Sequence, residues 1–159
     1  MRGAAITRRL VATAVVVVLV VGGAFAALAL RGDDDPYAAY CDQVREQRDA
    51  LGAALAAGPT TGLLRALPSF EKLRADAPRD IRDEWQVVTS RIVELRDALR
   101  EADVEPSSYD PAKPPSGLTA AQRQAIQAAA VRLGDQETAL ALAGVQQQAR
   151  DVCKTPLSL

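Results

Sequence analysis

From residue 32 onward, apolar positions recur every three or four residues and strand-like alternation is nearly absent, so the pattern predicts an all-α fold. The sharpest stretch runs from Pro78 to Ala102, where Ile81, Trp85, Val88, Ile92, Leu95, Leu99 and Ala102 are spaced 4, 3, 4, 3, 4 and 3. This is an a/d seam held over three heptads, with Arg82, Asp83, Glu84, Arg91, Glu94, Arg96 and Asp97 left for solvent.

The flanking segments give weaker but readable stripes. Asp35 before Pro36 predicts an N-cap followed by proline at the first helical position, opening a helix through Tyr37, Cys41, Val44, Leu51 and Leu55 that ends at Gly58-Pro59. Arg48 interrupts that stripe. A second element starts near Thr61 with Leu63, Leu64, Leu67, Phe70 and Leu73 inward, and Pro68 inside it predicts a kink or a split into two short helices. Residues 103–118 hold four prolines and read as a loop or extended crossover, long enough to run the length of a helix to its other end. Thr119 with Gln122 makes a capping box for a helix through Ile126, Ala129, Ala130 and Leu133 that stops at Gly134. Asp135 then caps a last helix with Leu142, Val145, Ala149 and Val152 inward. The expectation is an N-terminal transmembrane helix followed by a small four- to five-helix bundle over residues 37–159.

The transmembrane expectation rests on Leu10 to Leu30, 21 consecutive uncharged residues. At 1.5 Å per residue they span about 31 Å, the thickness of a hydrocarbon core. Arg2, Arg8 and Arg9 precede this run, whereas Arg31 is followed at once by Asp33, Asp34 and Asp35. The positive-inside rule therefore puts residues 1–9 in the cytoplasm, makes 31–36 a juxtamembrane spacer and places the helical domain outside the cell membrane. A cleaved signal peptide competes with this signal anchor: Ala24-Phe25-Ala26 after Gly22-Gly23 is an A-x-A site, and cutting there would release a secreted chain beginning at Ala27. Arg8-Arg9 has the doublet of a twin-arginine signal, but Val11 and Ala12 occupy positions where larger apolar residues belong, which leaves an ordinary basic n-region. Gly22/Ala26 and Gly23/Ala27 have small-xxx-small spacing, and Arg31-Gly32-Asp33 is most simply a stop-transfer charge with a solvated spacer.

Composition removes whole classes of chemistry. The 159 residues include no histidine and no asparagine, so imidazole metal sites, Ser-His-Asp triads and N-glycosylation sequons are excluded. The net charge of the chain is -1, and residues 32–159 hold 15 basic against 20 acidic residues, which disfavours nucleic acid and other anionic partners. Among the acidic groups, Asp33 to Asp35 lack the glycine and spacing of a calcium loop, and Asp83 and Glu84 diverge as helix neighbours. No catalytic, cofactor-binding or metal-ligating set emerges, so the expectation is a protein that is not an enzyme.

Three features remain. Cys41 and Cys153 stand at the start of the first exported helix and the end of the last; in an antiparallel bundle with an even helix count those points share one end, which predicts a structural disulfide. Tyr109, Asp110 and Pro111 sit in the proline-rich loop of an aromatic-poor chain, and read as a loop anchor or a partner-docking surface. Trp85 and Phe70, with Tyr37 and Tyr40, read as core or as the lining of an apolar ligand pocket.

Ala66-Leu67-Pro68, Asp80-Ile81 with Glu84-Trp85, the Pro106-Ser107-Ser108-Tyr109-Asp110-Pro111 loop and Gln147 through Cys153 together resemble a functionally uncharacterised group of small exported or membrane-anchored helical proteins of actinobacteria. The resemblance spans Tyr40 to Cys153, most of the exported part, and implies architecture and address but no activity. The expected role is a membrane-anchored extracytoplasmic interaction or structural module of the cell envelope; the alternative is a secreted or anchored carrier of an apolar ligand. Neither reading names a protein partner or an oligomeric state.

Overall fold

The computed structural model describes residues 35–158, in which the secondary structure is helical throughout and no strand occurs among the described residues. Five α-helices follow in order: α1 Ala38–Leu55, α2 Pro59–Ala75, α3 Arg82–Glu101, α4 Ala120–Leu133 and α5 Gln136–Val152. Short 3₁₀ turns at Arg79–Ile81 and Pro106–Ser108 precede α3 and interrupt the long loop. The predicted transmembrane segment 10–30 and most of the spacer lie outside the described residues. Among the described residues no helix is long and apolar enough to cross a membrane.

The seam of α3 organises the core. Trp85, Val88, Ile92, Leu95 and Leu99 are essentially inaccessible to solvent, as the heptad spacing predicts. α2 packs antiparallel on α3, as Arg74 Nη1 donates to Gln86 Oε1 at 2.7 Å while Arg96 and Glu71 lie 3.7 Å apart further along. On its other side α2 packs on α1 so closely that a Cβ on Gly62 would stand 2.9 Å from Leu55 Cα.

α4 and α5 lie end to end. Arg132 bonds Glu94 at 2.7 Å, Glu137 bonds Arg91 at 3.0 Å, and Gln148 reaches Asp80 at 3.4 Å. As the chain advances from 132 to 148 its partners retreat from 94 on α3 to 80 in the 3₁₀ turn before it, so the two short helices form one broken column antiparallel to α3. Five helices therefore make four columns, up, down, up and down, in which α1 also touches α5. This even column count brings Cys41 and Cys153 to one end, where they form a disulfide with Cα atoms 5.1 Å apart.

Three local expectations are corrected. The first helix begins at Ala38 with Tyr37 at its N-cap position, instead of Asp35 at the cap with Pro36 inside. The Tyr37 carbonyl takes the first helical bond, from Cys41 N–H at 2.8 Å, so burial of Tyr40 and Cys41 sets the start. Pro68 does not split α2, which runs unbroken from Pro59 to Ala75 with the proline on its exposed face. The loop over 103–118 does not cross to the far end, since it is tied to the first turns of α2 and α4 starts where α3 stops.

The predicted breaks elsewhere are present. Thr119 and Gln122 form a reciprocal capping box, with Gln122 N–H donating to Thr119 Oγ1 at 3.2 Å and Thr119 N–H to Gln122 Oε1 at 2.9 Å. Gly134 ends α4, and Asp135 Oδ1 accepts from Thr138 N–H at 2.8 Å to start α5.

Candidate functional site

The loop between α3 and α4 is built by local bonds before it touches anything distant. Asp103 takes a left-handed turn (φ 56°), and Val104 N–H returns to the Leu99 carbonyl at 2.9 Å to close α3. Glu105 then caps the 3₁₀ turn by accepting from Ser107 N–H at 3.1 Å. That backbone bond, helped by the Ser107 hydroxyl, holds the Glu105 carboxyl below the usual range.

Two side chains of α2 fasten the loop. Thr61 Oγ1 donates to the Tyr109 carbonyl at 2.6 Å, and Arg65 Nε donates to the Ser107 carbonyl at 2.7 Å. With its backbone held, Tyr109 turns its ring inward to 8% exposure. Burial, and secondarily the charge of Asp110, pushes its phenol above the ordinary value. Asp110 makes the next turn: its Oδ1 accepts from Ala112 N–H at 2.9 Å and its carbonyl from Lys113 N–H at 3.0 Å. Residues 110–117 are all exposed.

Between this strap and α4 lies a groove of about 350 Å³, lined by Tyr109, Pro111, Pro114, Pro115, Leu118, Arg123, Ile126, Gln127 and Ala130. Its walls are mainly apolar. Arg123 supplies the charge, and its guanidinium also donates to the Leu118 carbonyl. The structure thus brings Tyr109 and Pro111 together as wall and rim, with Asp110 shaping the turn between them. The sequence did not point to Thr61, Arg65, Ile126 or Ala130 as parts of this feature. Thr61 and Arg65 are four residues apart at the start of α2, a spacing that many solvated helix positions share.

Trp85 and Phe70 lie elsewhere, in the packed interior. Their ring centroids are 5.6 Å apart at an interplanar angle of 52°, and Trp85 Nε1 donates to Tyr40 Oη at 3.1 Å. Neither lines the Tyr109 groove or either of two further surface cavities. One of those, about 520 Å³, opens at the disulfide end between Pro36, Tyr37, Ala77, Pro78, Arg79, Asp80 and neighbouring residues. Its rim mixes both signs of charge, with no aligned donor set.

No group of three or more His, Cys, Asp or Glu capable of holding a metal ion occurs among the described residues. The groove offers shape and mainly apolar contact, with Arg123 as its charged lining residue. No protein-family model, curated protein or solved structure matches the chain.

Proposed function

We propose that the chain is a membrane-anchored, extracytoplasmic helical module of the cell envelope, with the groove beneath Tyr109 as its candidate contact surface for a protein partner. The disulfide between Cys41 and Cys153 carries this reading. It is buried, it joins the beginning and end of the helical domain, and bonds of this kind persist in oxidising compartments. Leu10 to Leu30, with arginines before it and aspartates after it, supports the anchor and its N-in orientation. The resemblance of Tyr40 to Cys153 to exported actinobacterial helical proteins supports the same address.

The packing of Trp85 against Phe70 and Tyr40 supports the module over the carrier of an apolar ligand, because those rings fill the interior that a carried ligand would need. A mainly apolar groove lies instead at the surface, between the proline strap and α4.

The test is alkylation of the full chain in its own cells, followed by intact mass measurement of membrane and medium fractions. A full-length chain in the membrane fraction, with both cysteines protected from maleimide until reduced, is the expected result. Free thiols in the unreduced chain would place the domain in a reducing compartment and overturn the address. A chain beginning at Ala27 in the medium would replace the anchor by a cleaved signal peptide.

A further inference from the structure

Two cavities are neighbours along α4. The groove beneath Tyr109 holds about 350 Å³, a smaller hollow of about 140 Å³ lies between Pro59, Thr60 and Leu63 on α2 and Leu133 and Gly134, and Ala130 lines both. Arg123 stands toward one end of this trough and Gly134 at the other, 11 positions apart in the chain. Along a helix that is about 16 Å, the reach of about five extended residues.

Local charge runs against that of the domain. Residues 32–159 hold 15 basic against 20 acidic residues, yet residues 106–133, which make the strap and α4, hold three basic residues against one acidic. Arg132 is drawn onto Glu94, and the carboxylate of Asp110 is folded onto Ala112 N–H in its own turn. Arg123 enters none of the ion pairs formed among the described residues. Its guanidinium is held at the groove by the Leu118 carbonyl, with Lys113 exposed on the strap. The trough therefore pairs apolar walls with an unneutralised positive charge toward one end.

We infer that this trough takes an extended peptide segment of a partner protein, with large apolar side chains at alternate positions and a carboxylate at the end that meets Arg123. Alternate side chains of a strand point to one side about 6.6 Å apart, so three of five residues face α4. The carboxylate supplies the charge that the apolar groove lacks, and such complementarity selects partners more than it adds affinity. Gln127 and Thr60 add an amide and a hydroxyl along the trough. These suit a peptide main chain, whereas an acyl chain would cover them without a hydrogen bond. The inference rests on the reading of the Tyr109 groove as a contact surface and adds what that surface selects.

The test uses the full chain in phosphatidylcholine nanodiscs and end-blocked pentapeptides labelled with fluorescein through a flexible spacer. Glu-Ser-Leu-Ser-Leu and Leu-Ser-Leu-Ser-Glu cover both directions of entry, and each is compared by anisotropy with versions carrying Gln or Lys in place of Glu. One of the two Glu peptides should bind at least about threefold more tightly than its Gln version in dilute buffer, a preference that about 1 M salt removes. Arg123→Gln should bind the Glu and Gln versions alike, and Arg123→Glu should turn the preference toward Lys, a reversal that an unfolded variant could not produce. Equal binding of the Glu, Gln and Lys versions by the parent overturns the inference while leaving the groove as a contact surface. Selection for Glu that persists in Arg123→Glu also overturns it, by placing the charged contact elsewhere. If no version binds, both the inference and the reading of the groove on which it rests fail.

Discussion

The indole of Trp85 on α3 donates a hydrogen bond to the phenolic oxygen of Tyr40 on α1 across 3.1 Å, and both side chains are wholly buried. This bond links diagonal columns of the bundle. Tyr40→Phe keeps the ring and removes the acceptor, leaving a buried indole N–H without a partner. The expected loss is about 1–3 kcal/mol in unfolding free energy, read by urea denaturation with Trp85 fluorescence as the probe. A variant as stable as the parent would mean that the indole finds another acceptor at no cost.

The same phenol sets an alkaline limit. Burial, opposed by the Trp85 bond and assisted by the charge of Asp80, pushes the Tyr40 pKa up to about 12. Its folded value lies above the unfolded value near 10, so its contribution is complete below about pH 10 and fades as pH rises toward 12. Between pH 9 and 11 the parent should lose about 1 kcal/mol more than Tyr40→Phe, which lacks the group. Equal pH slopes for the two proteins would remove Tyr40 as the cause.

Cys41 and Cys153 close a loop with a sequence separation of 112. In the chain-entropy treatment a closure of that length stabilises by about 4–5 kcal/mol, a large share of the total for a small domain. Cys41→Ser, Cys153→Ser and the double variant should therefore lose similar amounts, since each opens the same loop. α1 touches α5 sparingly, so amide exchange should rise first in α1. Uniform acceleration across all five helices would show that the bond supports the domain as a whole and not the seam between α1 and α5.

The fold was legible where one residue type dominated the decision. The heptad seam from Ile81 to Ala102, the Thr119 capping box and the stop at Gly134 each follow from local chemistry and occur as read. The start at Ala38 was hidden because Asp35-Pro36 satisfies the local cap rule, whereas burial of Tyr40 and Cys41 decides the outcome. The broken fourth column was hidden because Gly134-Asp135 marks a stop and a start without saying whether the chain turns back. What decides it is the ladder of Arg132, Glu94, Arg91 and Glu137, whose partners are 38 and 46 residues apart. Of the candidate site, Tyr109 was visible as an isolated aromatic among prolines. The groove it lines also needs Ile126 and Ala130 from another element, and only the path of the loop brings them there.

Gly62 shows how little room the α1–α2 contact leaves. A methyl group there would lie 2.9 Å from Leu55 Cα and 3.0 Å from its carbonyl oxygen, both backbone atoms that cannot swing aside. Gly62→Ala gains helix propensity but must push α1 away, for a net loss of about 1–3 kcal/mol. Gly144→Ala is the control, because its nearest neighbour is the flexible Glu84 side chain at 3.5 Å. It should be neutral or slightly stabilising, and comparable losses at both glycines in thermal unfolding would refute the close-contact argument.

Glu94 is bonded at once to Arg91 on its own helix and to Arg132 on α4, while Arg91 also bonds Glu137 on α5. The Arg132 bond in particular, with help from Arg91, holds the Glu94 carboxyl below its usual range despite opposing desolvation. Its contribution is therefore present above the ordinary carboxylate pKa and is lost as pH falls through the lowered folded value. Because the carboxylate is about one-third exposed, solvent screens the pair, and Glu94→Gln should cost no more than about 1 kcal/mol in dilute buffer. Raising the salt to about 1 M shortens the screening length to roughly 3 Å and should erase most of that difference. The loss should also be local, with faster amide exchange around Gly134 and Asp135, where the ion ladder spans the break between α4 and α5. A salt-independent loss would instead assign the role of Glu94 to packing of its methylene groups.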